Sequence, residues 1–232
     1  MKKVAFTLFM LVLLVGTTVS VEARTTPILE KHVFVHRIKP DDDMYVKPEK
    51  PGGGTNTGKL LYKYSGLHWA SPPVNYVINA KVTGLTTNDV VDVMSSSFKT
   101  WDDESATEIF GSCSTGTVTA GAQDGVNGIS FGPTGKGIIA LTTIWYNPAT
   151  GEVSEVDTLF STNYQWSLTG DPRKMDLQNI ATHEFGHWLV LDDLYNKPAS
   201  TQTMYGYSTY GETIKSSLES GDIAGLEAIY GP

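Results

Sequence analysis

The segment formed by residues 176–189 constrains the fold of this 232-residue chain more than any other part of the sequence. It opens with Asp176, a residue type that caps helix N-termini, and its apolar residues recur at the spacing of one helix face. The pattern predicts a helix packed against a core. His183 and His187 are four residues apart on it, so their imidazoles leave the same face. The apolar positions are Leu177, Ile180, Ala181, Trp188 and Leu189.

The two histidines and the glutamate between them favour metal chemistry. Two imidazoles at this spacing can bind one tetrahedral zinc ion. Glu184 lies on the flank of the same face, where its carboxylate can reach a zinc-bound water without being a ligand. Zinc lowers the pKa of that water to about 7, so Glu184 can take its proton and later give a proton to a leaving amine. The alternative interpretation is a surface helix with two solvated histidines.

A catalytic zinc site usually has three protein ligands and one open position, so a third ligand must come from elsewhere in the chain. The remaining histidines all lie well upstream of the helix. The downstream candidates are three carboxylates. A chain that turns beyond the helix end could bring the Asp193 carboxylate to the metal. The upstream histidines are His32, His36 and His68, and the downstream carboxylates are Asp192, Asp193 and Asp222.

The N-terminal part of the chain is predicted to lie outside the catalytic domain. A basic start, an apolar run over residues 4–15 and a small-residue site at 21–23 are typical of a signal peptide, residues 1–23. An uncleaved membrane anchor is the alternative. Residues 24–58 show no clear periodicity and end in a proline- and glycine-rich stretch, which indicates a short pro-segment and linker or a disordered extension.

The order of predicted elements over residues 59–232 indicates one α+β domain with its sheet in the N-terminal part. Strand-like composition occurs over residues 74–79, 128–131, 138–146 and 153–161. Thr86 followed three residues later by Asp89 resembles a capping box at the start of a first helix. A last helix is expected to begin near Ser220 and to end at Gly231.

The net charge limits the classes of binding partner, and the cysteine content limits the possible disulfides and zinc sites. The 17 Lys and Arg residues against 25 Asp and Glu residues give a net charge of -8, which argues against nucleic acid or an anionic membrane as the main partner. Cys113 is the single cysteine, so the exported domain has no internal disulfide and no cysteine cluster for a structural zinc site. We expect a monomer that acts on protein or peptide substrates, without stable membrane association after signal cleavage.

Three groups of residues resemble the metzincin and matrixin peptidases. His183-Glu184-x-x-His187-x-x-x-x-x-Asp193 resembles the metzincin zinc motif, with aspartate as third ligand as in snapalysin-type peptidases. Residues 203–207, with Met204 at their centre, resemble the methionine turn beneath the zinc. Residues 176–182 and 218–231 resemble the matrixin approach to the zinc helix and the closing helix. The resemblance covers roughly residues 59–231 and is strongest from Asp176 onward.

The resemblance implies a zincin fold with two subdomains and a substrate cleft between them. The upper subdomain would hold a twisted, mostly parallel sheet and the zinc helix, with an edge strand within residues 137–146 that pairs with an extended peptide. The lower subdomain would carry Met204 and the last helix, and Tyr207 would shape the pocket after the scissile bond. Zinc would be bound by His183, His187 and Asp193, and calcium is a further ion that the resemblance implies, without assignable ligands.

The chain departs from the family pattern at several positions. Val190 stands where metzincins usually have glycine, and a β-branched residue resists the positive φ of that turn, so either the turn is made differently or Asp192 is the third ligand. Gly206 replaces a proline common after the methionine turn. The usual pro-segment cysteine is absent; the acidic run 41–43 could direct latency to zinc, or be a solvated run.

The sequence therefore predicts a secreted zinc endopeptidase with Glu184 as general base and acid. One alternative is a secreted peptide-binding module that keeps the zinc site without turnover, which Val190 motivates. Another is a structural domain stabilised by a fully coordinated zinc ion. Glu184 counts against both alternatives, because a purely structural site has no need of that carboxylate.

Overall fold

The computed structural model describes residues 28–40 and 61–232 of the chain. The predicted signal peptide, the acidic run 41–43 and the glycine-rich stretch lie outside the described residues. Within the described ranges the chain forms a mixed sheet, a two-stranded sheet and three α-helices. This architecture is the α+β class that the sequence predicts.

The main sheet has eight strands, and seven of them follow the order β10-β1-β6-β7-β5-β3-β4, with β2 beside β7. Parallel pairs join β3, β4, β5 and β7, whereas β6 runs antiparallel to β7. The four predicted strands are present with ends shifted by one residue at most. The strands of the main sheet are β1 (Glu30–Ile38), β2 (His68–Trp69), β3 (Val74–Ile78), β4 (Phe110–Thr115), β5 (Gly128–Gly132), β6 (Ile138–Tyr146), β7 (Glu152–Ser161) and β10 (Tyr207–Ser208). The small sheet pairs β8 (Trp166–Ser167) with β9 (Met175–Asp176).

Helices α1 (Thr87–Asp102) and α2 (Leu177–Trp188) pack against each other beside the sheet. Thr86 and Asp89 form the expected capping box at α1, and the Asp176 carboxylate caps α2 by accepting from the Asn179 N–H at 3.1 Å. The rings of Phe98 and Phe185 stack between the two helices with centroids 3.6 Å apart. This contact fixes α2 relative to the rest of the core.

The C-terminal part of the chain lies beyond α2. It contains two short 3₁₀ helices, Lys197–Ala199 and Ile214–Ser216, and ends in α3 (Ser220–Tyr230). Helix α3 begins and ends at the residues that the sequence predicts. No helix in residues 28–40 or 61–232 is both long enough and apolar enough to cross a lipid bilayer.

Strand β1 differs from the sequence-based expectation, because it lies inside the segment read as aperiodic. Phe34 and His36 point to the interior and are buried, whereas Val33 and Arg37 on the opposite face are exposed. A strand is identified by apolar and polar residues in alternation. Here both faces carry apolar residues and the buried face also carries a histidine, so the sequence does not show that alternation. The sheet therefore includes nine residues from upstream of the predicted domain boundary.

Candidate metal centre and cleft

The two histidines of α2 are held in one tautomer by backbone carbonyls. His183 Nδ1 donates to the Thr203 carbonyl and His187 Nδ1 donates to the Leu191 carbonyl, both at 2.7 Å. Each Nε2 therefore carries a lone pair and faces the same side of the helix. Burial lowers the pKa of His187 to about 3, which keeps its imidazole neutral and able to bind a metal.

Asp193 completes a group of three converging atoms. Its Oδ1 lies 3.3 Å from His183 Nε2 and 3.6 Å from His187 Nε2. All three atoms are buried and have no hydrogen-bond partner among the described residues. Buried polar atoms without partners are costly unless another group satisfies them, and two imidazole nitrogens with one carboxylate oxygen form a donor set that suits zinc. These residues therefore fit a zinc ion.

The turn between α2 and Asp193 is made by Val190 in a left-handed conformation. Its φ is 63°, and it is the one residue other than glycine with positive φ in the described ranges. A β-branched residue in this region costs on the order of 1–3 kcal/mol. The Val190 side chain is fully buried in the core, and that burial contributes a favourable term of similar size, about 1.5–3 kcal/mol. The turn thus takes the shape that glycine usually permits.

The two other downstream aspartates point elsewhere. Asp192 Oδ2 lies 2.5 Å from Lys63 Nζ, and Asp192 belongs to neither group of converging ligand atoms. The Asp222 carboxylate accepts from the backbone N–H groups of Thr203 at 2.8 Å and Met204 at 3.1 Å. Asp222 therefore fixes the loop under the histidines from the start of α3, and neither residue belongs to the converging group.

Met204 lies directly under α2, where the resemblance places the methionine turn. It is 1% exposed, and a Cβ added at Gly186 would come within 2.1 Å of its Sδ. The helix and the loop approach this closely because position 186 has no side chain. Tyr207 on β10 is buried between neighbouring rings, with Tyr195 at 5.1 Å and Tyr205 at 5.8 Å between centroids.

Glu184 is fully buried beside the histidines, and one of its oxygens is fixed by a chain of hydroxyl groups. The Trp188 indole donates to Thr158 Oγ1 at 2.9 Å, and the Thr158 and Thr142 hydroxyls are 2.8 Å apart. Thr142 then donates to Glu184 Oε2 at 2.6 Å. Burial raises the pKa of Glu184 to about 7. A carboxyl group with such a pKa can both accept and donate a proton near neutral pH.

The other oxygen of Glu184 contacts a residue that sequence reasoning set aside. His36 Nδ1 lies 3.1 Å from Glu184 Oε1, and the His36 ring lies 3.8 Å from the His183 ring between centroids. Its distance along the chain, 148 residues from Glu184, made it a remote candidate. The alternation of buried residues around Phe34 and His36 is the signal that could have indicated it. Thr142 and Tyr195 were missed as well, because neither belongs to a recognisable motif.

Comparisons with known proteins show the family to which this chain belongs. A family model described as Matrixin matches residues 68–231, which is well over half of the chain. The chain belongs to the matrixin family. It is also similar to a hatching enzyme of Paracentrotus lividus, with 31% identity over 177 residues that cover 74% of this chain and 28% of the relative. The chain thus spans less than a third of the length of that relative.

Membership of the matrixin family confirms the metzincin-like fold predicted from the sequence, and it agrees with the predicted enzyme class, a zinc metalloendopeptidase. The family implies zinc as the metal, and the converging atoms of His183, His187 and Asp193 form a suitable donor set for it. A second group, His36, His183 and Glu184, also brings three potential ligand atoms together. The two groups share His183.

Proposed function

We propose that this matrixin is a secreted endopeptidase that hydrolyses peptide bonds in extended protein segments, with His183, His187 and Asp193 as its zinc ligands. The observation that carries the proposal is the convergence of three buried, unpartnered ligand atoms next to a buried glutamate. Asp193 would replace the third histidine of most metzincins, as in snapalysin-type peptidases. An anionic third ligand gives the site a lower net charge than three neutral histidines.

Glu184 is the residue to which we assign proton transfer. When bound, zinc supplies a Lewis acid that polarises the scissile carbonyl and lowers the pKa of water at the site. Glu184 Oε1 accepts the proton of the attacking water, and the same carboxyl group then returns a proton to the leaving amine. Thr142 supports this role, because its hydrogen bond to Oε2 holds the carboxylate plane fixed during both transfers.

The substrate would bind as an extended strand along β6. Within residues 61–232, β6 pairs on one side with β7, so its other side can pair with a peptide backbone. Met204 would support the zinc site from below, and Tyr207 would form a wall of the pocket that receives the side chain after the scissile bond. Both assignments rest on the family pattern and on the burial of the two residues.

Export is part of the proposal. The apolar run over residues 4–15 and the small-residue site before residue 24 support a signal peptide over residues 1–23, ahead of a catalytic domain over residues 59–232. Calcium, which the family resemblance implies, gains no ligand set from the described residues. Two acidic side chains of β7, Glu155 and Asp157, already accept hydrogen bonds from backbone N–H groups of residues 121–128, at and before the start of β5.

A paired experiment on Glu184 tests the proposed function. The intact exported chain and its Glu184→Ala variant are compared for zinc content and for cleavage of casein and a peptide library. We expect the variant to retain zinc and to lose at least about 100-fold in kcat, the contribution of a general base. Stoichiometric zinc without cleavage, both in the intact chain and after removal of its N-terminal segment, would instead indicate a peptide-binding module.

A further inference from the structure

Strand β1 lies between β6 and β10, in the position proposed for the substrate. It pairs antiparallel with β6 from Glu30 opposite Tyr146 to Arg37 opposite Ile138. On its other side Arg37 and Ile38 pair in parallel with Tyr207 and Ser208 of β10. A substrate strand and β1 cannot both use the free hydrogen-bonding groups of β6.

The inward side chains of β1 cover the catalytic residues. Phe34 is 5% exposed and its ring stacks on the His187 ring, with centroids 3.9 Å apart and planes 6° from parallel. Two residues later, His36 is fully buried against His183 and Glu184. Both contacts come from the same face of the strand, because alternate residues of a strand point to the same side.

The hydrogen bonds of His36 direct it to the glutamate and not to the ligand atoms. Lys215 Nζ donates to Ser208 Oγ at 2.6 Å, which leaves the Ser208 hydroxyl to donate to His36 Nε2 at 3.0 Å. His36 Nδ1 then carries the hydrogen and donates to Glu184 Oε1. Because both ring nitrogens are engaged, neither is left to bind a metal held by His183 and Asp193.

We infer that β1 inhibits this peptidase through the glutamate and not through the metal: His36 blocks Oε1 of Glu184, and Phe34 covers the His187 ring. The inference rests on the proposed function. Glu184 Oε2 accepts from Thr142, so His36 takes the one oxygen that would accept a proton from water. The chain becomes able to hydrolyse peptides when residues 28–40 no longer pair with β6, either because the chain is cleaved downstream of β1 or because a substrate displaces the strand.

The hydrogen bond to Glu184 Oε1 distinguishes β1 from a bound substrate. A productive substrate must leave Glu184 Oε1 able to accept a proton, whereas β1 donates a hydrogen bond to that atom. The buried lysine behind Ser208 reinforces the arrangement, since Lys215 is fully buried and bonds to both the Tyr207 carbonyl at 2.5 Å and Ser208. The strand in this register therefore inhibits and does not present a peptide bond for cleavage.

The first test compares full chains whose integrity is verified by mass spectrometry. The variants are Phe34→Ala/His36→Ala and, as a matched control on the exposed face of the same strand, Val33→Ala. We expect hydrolysis of a fluorogenic peptide to rise at least about tenfold in the double variant, the equilibrium equivalent of one hydrogen bond to a charged group, and to stay at the wild-type level in the control. Wild-type activity equal to that of the double variant, and abolished by Glu184→Ala, would overturn the inhibitory role and leave the proposed function intact.

The second test uses a synthetic peptide that covers residues 28–40, added to the double variant. The peptide should inhibit hydrolysis and bind with a measurable Kd by calorimetry, and its His36→Ala form should bind at least about tenfold more weakly. Zinc affinity, measured by chelator competition in the full chain, should be the same in wild type and His36→Ala. Loss of zinc affinity in His36→Ala would show that His36 binds the metal, and absence of peptide binding would show that β1 does not recognise the cleft; either result overturns the inference.

Discussion

Tyr195 Oη donates a 2.9 Å hydrogen bond to Oδ2 of Asp193. The bond leaves Oδ1 as the oxygen that faces the two histidine nitrogens. Burial raises the pKa of Tyr195, so its hydroxyl is protonated at neutral pH and donates to the carboxylate. Tyr195 therefore orients the carboxylate in the same way that Thr203 and Leu191 orient the imidazoles through their carbonyls.

Replacing Tyr195 by Phe should weaken zinc binding without removing a ligand. Groups that orient metal ligands typically contribute about 10- to 100-fold to metal affinity, and we expect the lower value because Tyr195 is partly exposed. Chelator competition measures the change. Tyr210→Phe, at an exposed ring, is the control and should leave the affinity unchanged. Equal affinities of wild type and Tyr195→Phe would mean that the Asp193 carboxylate needs no such support.

The third ligand can be identified by comparing two adjacent aspartates. Asp193→Ala removes an atom of the converging group, and we expect zinc affinity to fall by more than about 100-fold, beyond the effect of any orienting residue. Asp192→Ala breaks a contact with the exposed Lys63 and should leave zinc affinity essentially unchanged. Both variants lose one negative charge, so the comparison controls for net charge. The reverse result would assign the ligand role to Asp192.

Local sequence signals predict one half of this site well and the other half poorly. Helix α2 could be predicted because a capping residue, an apolar face and two histidines lie within 14 consecutive residues, all visible together. The Thr142 hydroxyl and the His36 ring reach Glu184 across 42 and 148 residues of chain. Only the pairing of β6 with β7 and with β1 brings them there, and no local pattern specifies which strands become neighbours.

At Val190 we expect the usual stability difference between glycine and alanine to disappear or reverse. Glycine in a helix or strand is normally about 0.5–1 kcal/mol less stable than alanine, but a positive φ removes that disadvantage. We therefore expect Val190→Gly to be at least as stable as Val190→Ala, although it removes one more buried carbon. Urea unfolding of the zinc-loaded protein measures the difference. At Val90, the fully buried fourth residue of α1, the corresponding glycine and alanine variants should show the ordinary order, with glycine less stable.

Asp157 on β7 should make stability depend on pH. Burial raises its pKa to about 7, although the N–H groups of Gly121 and Gly128 favour the charged form. Because the pKa in the folded state lies above the unfolded value of 3.8, the stabilising contribution is complete below pH 3.8 and is lost as the pH rises through about 7. The melting temperature of wild type should therefore fall between pH 5 and pH 8 relative to that of Asp157→Asn. Asp92→Asn, at an exposed position of α1, should leave the wild-type pH profile unchanged.

The contact between Gly186 and Met204 predicts a helix position at which alanine is harmful. Replacing a helical glycine by alanine ordinarily stabilises by about 1 kcal/mol. Here the added Cβ would meet Met204 Sδ at 2.1 Å and Trp101 Cζ2 at 2.8 Å, so we expect Gly186→Ala to lower the free energy of unfolding by about 1–3 kcal/mol. The same change in a Met204→Ala background should cost less, because the nearer of the two contacts is gone. A double-mutant cycle from urea unfolding of the zinc-loaded protein gives the coupling energy. A coupling energy near zero, or a more stable Gly186→Ala protein, would show that the methionine turn does not press on the helix as the structure describes.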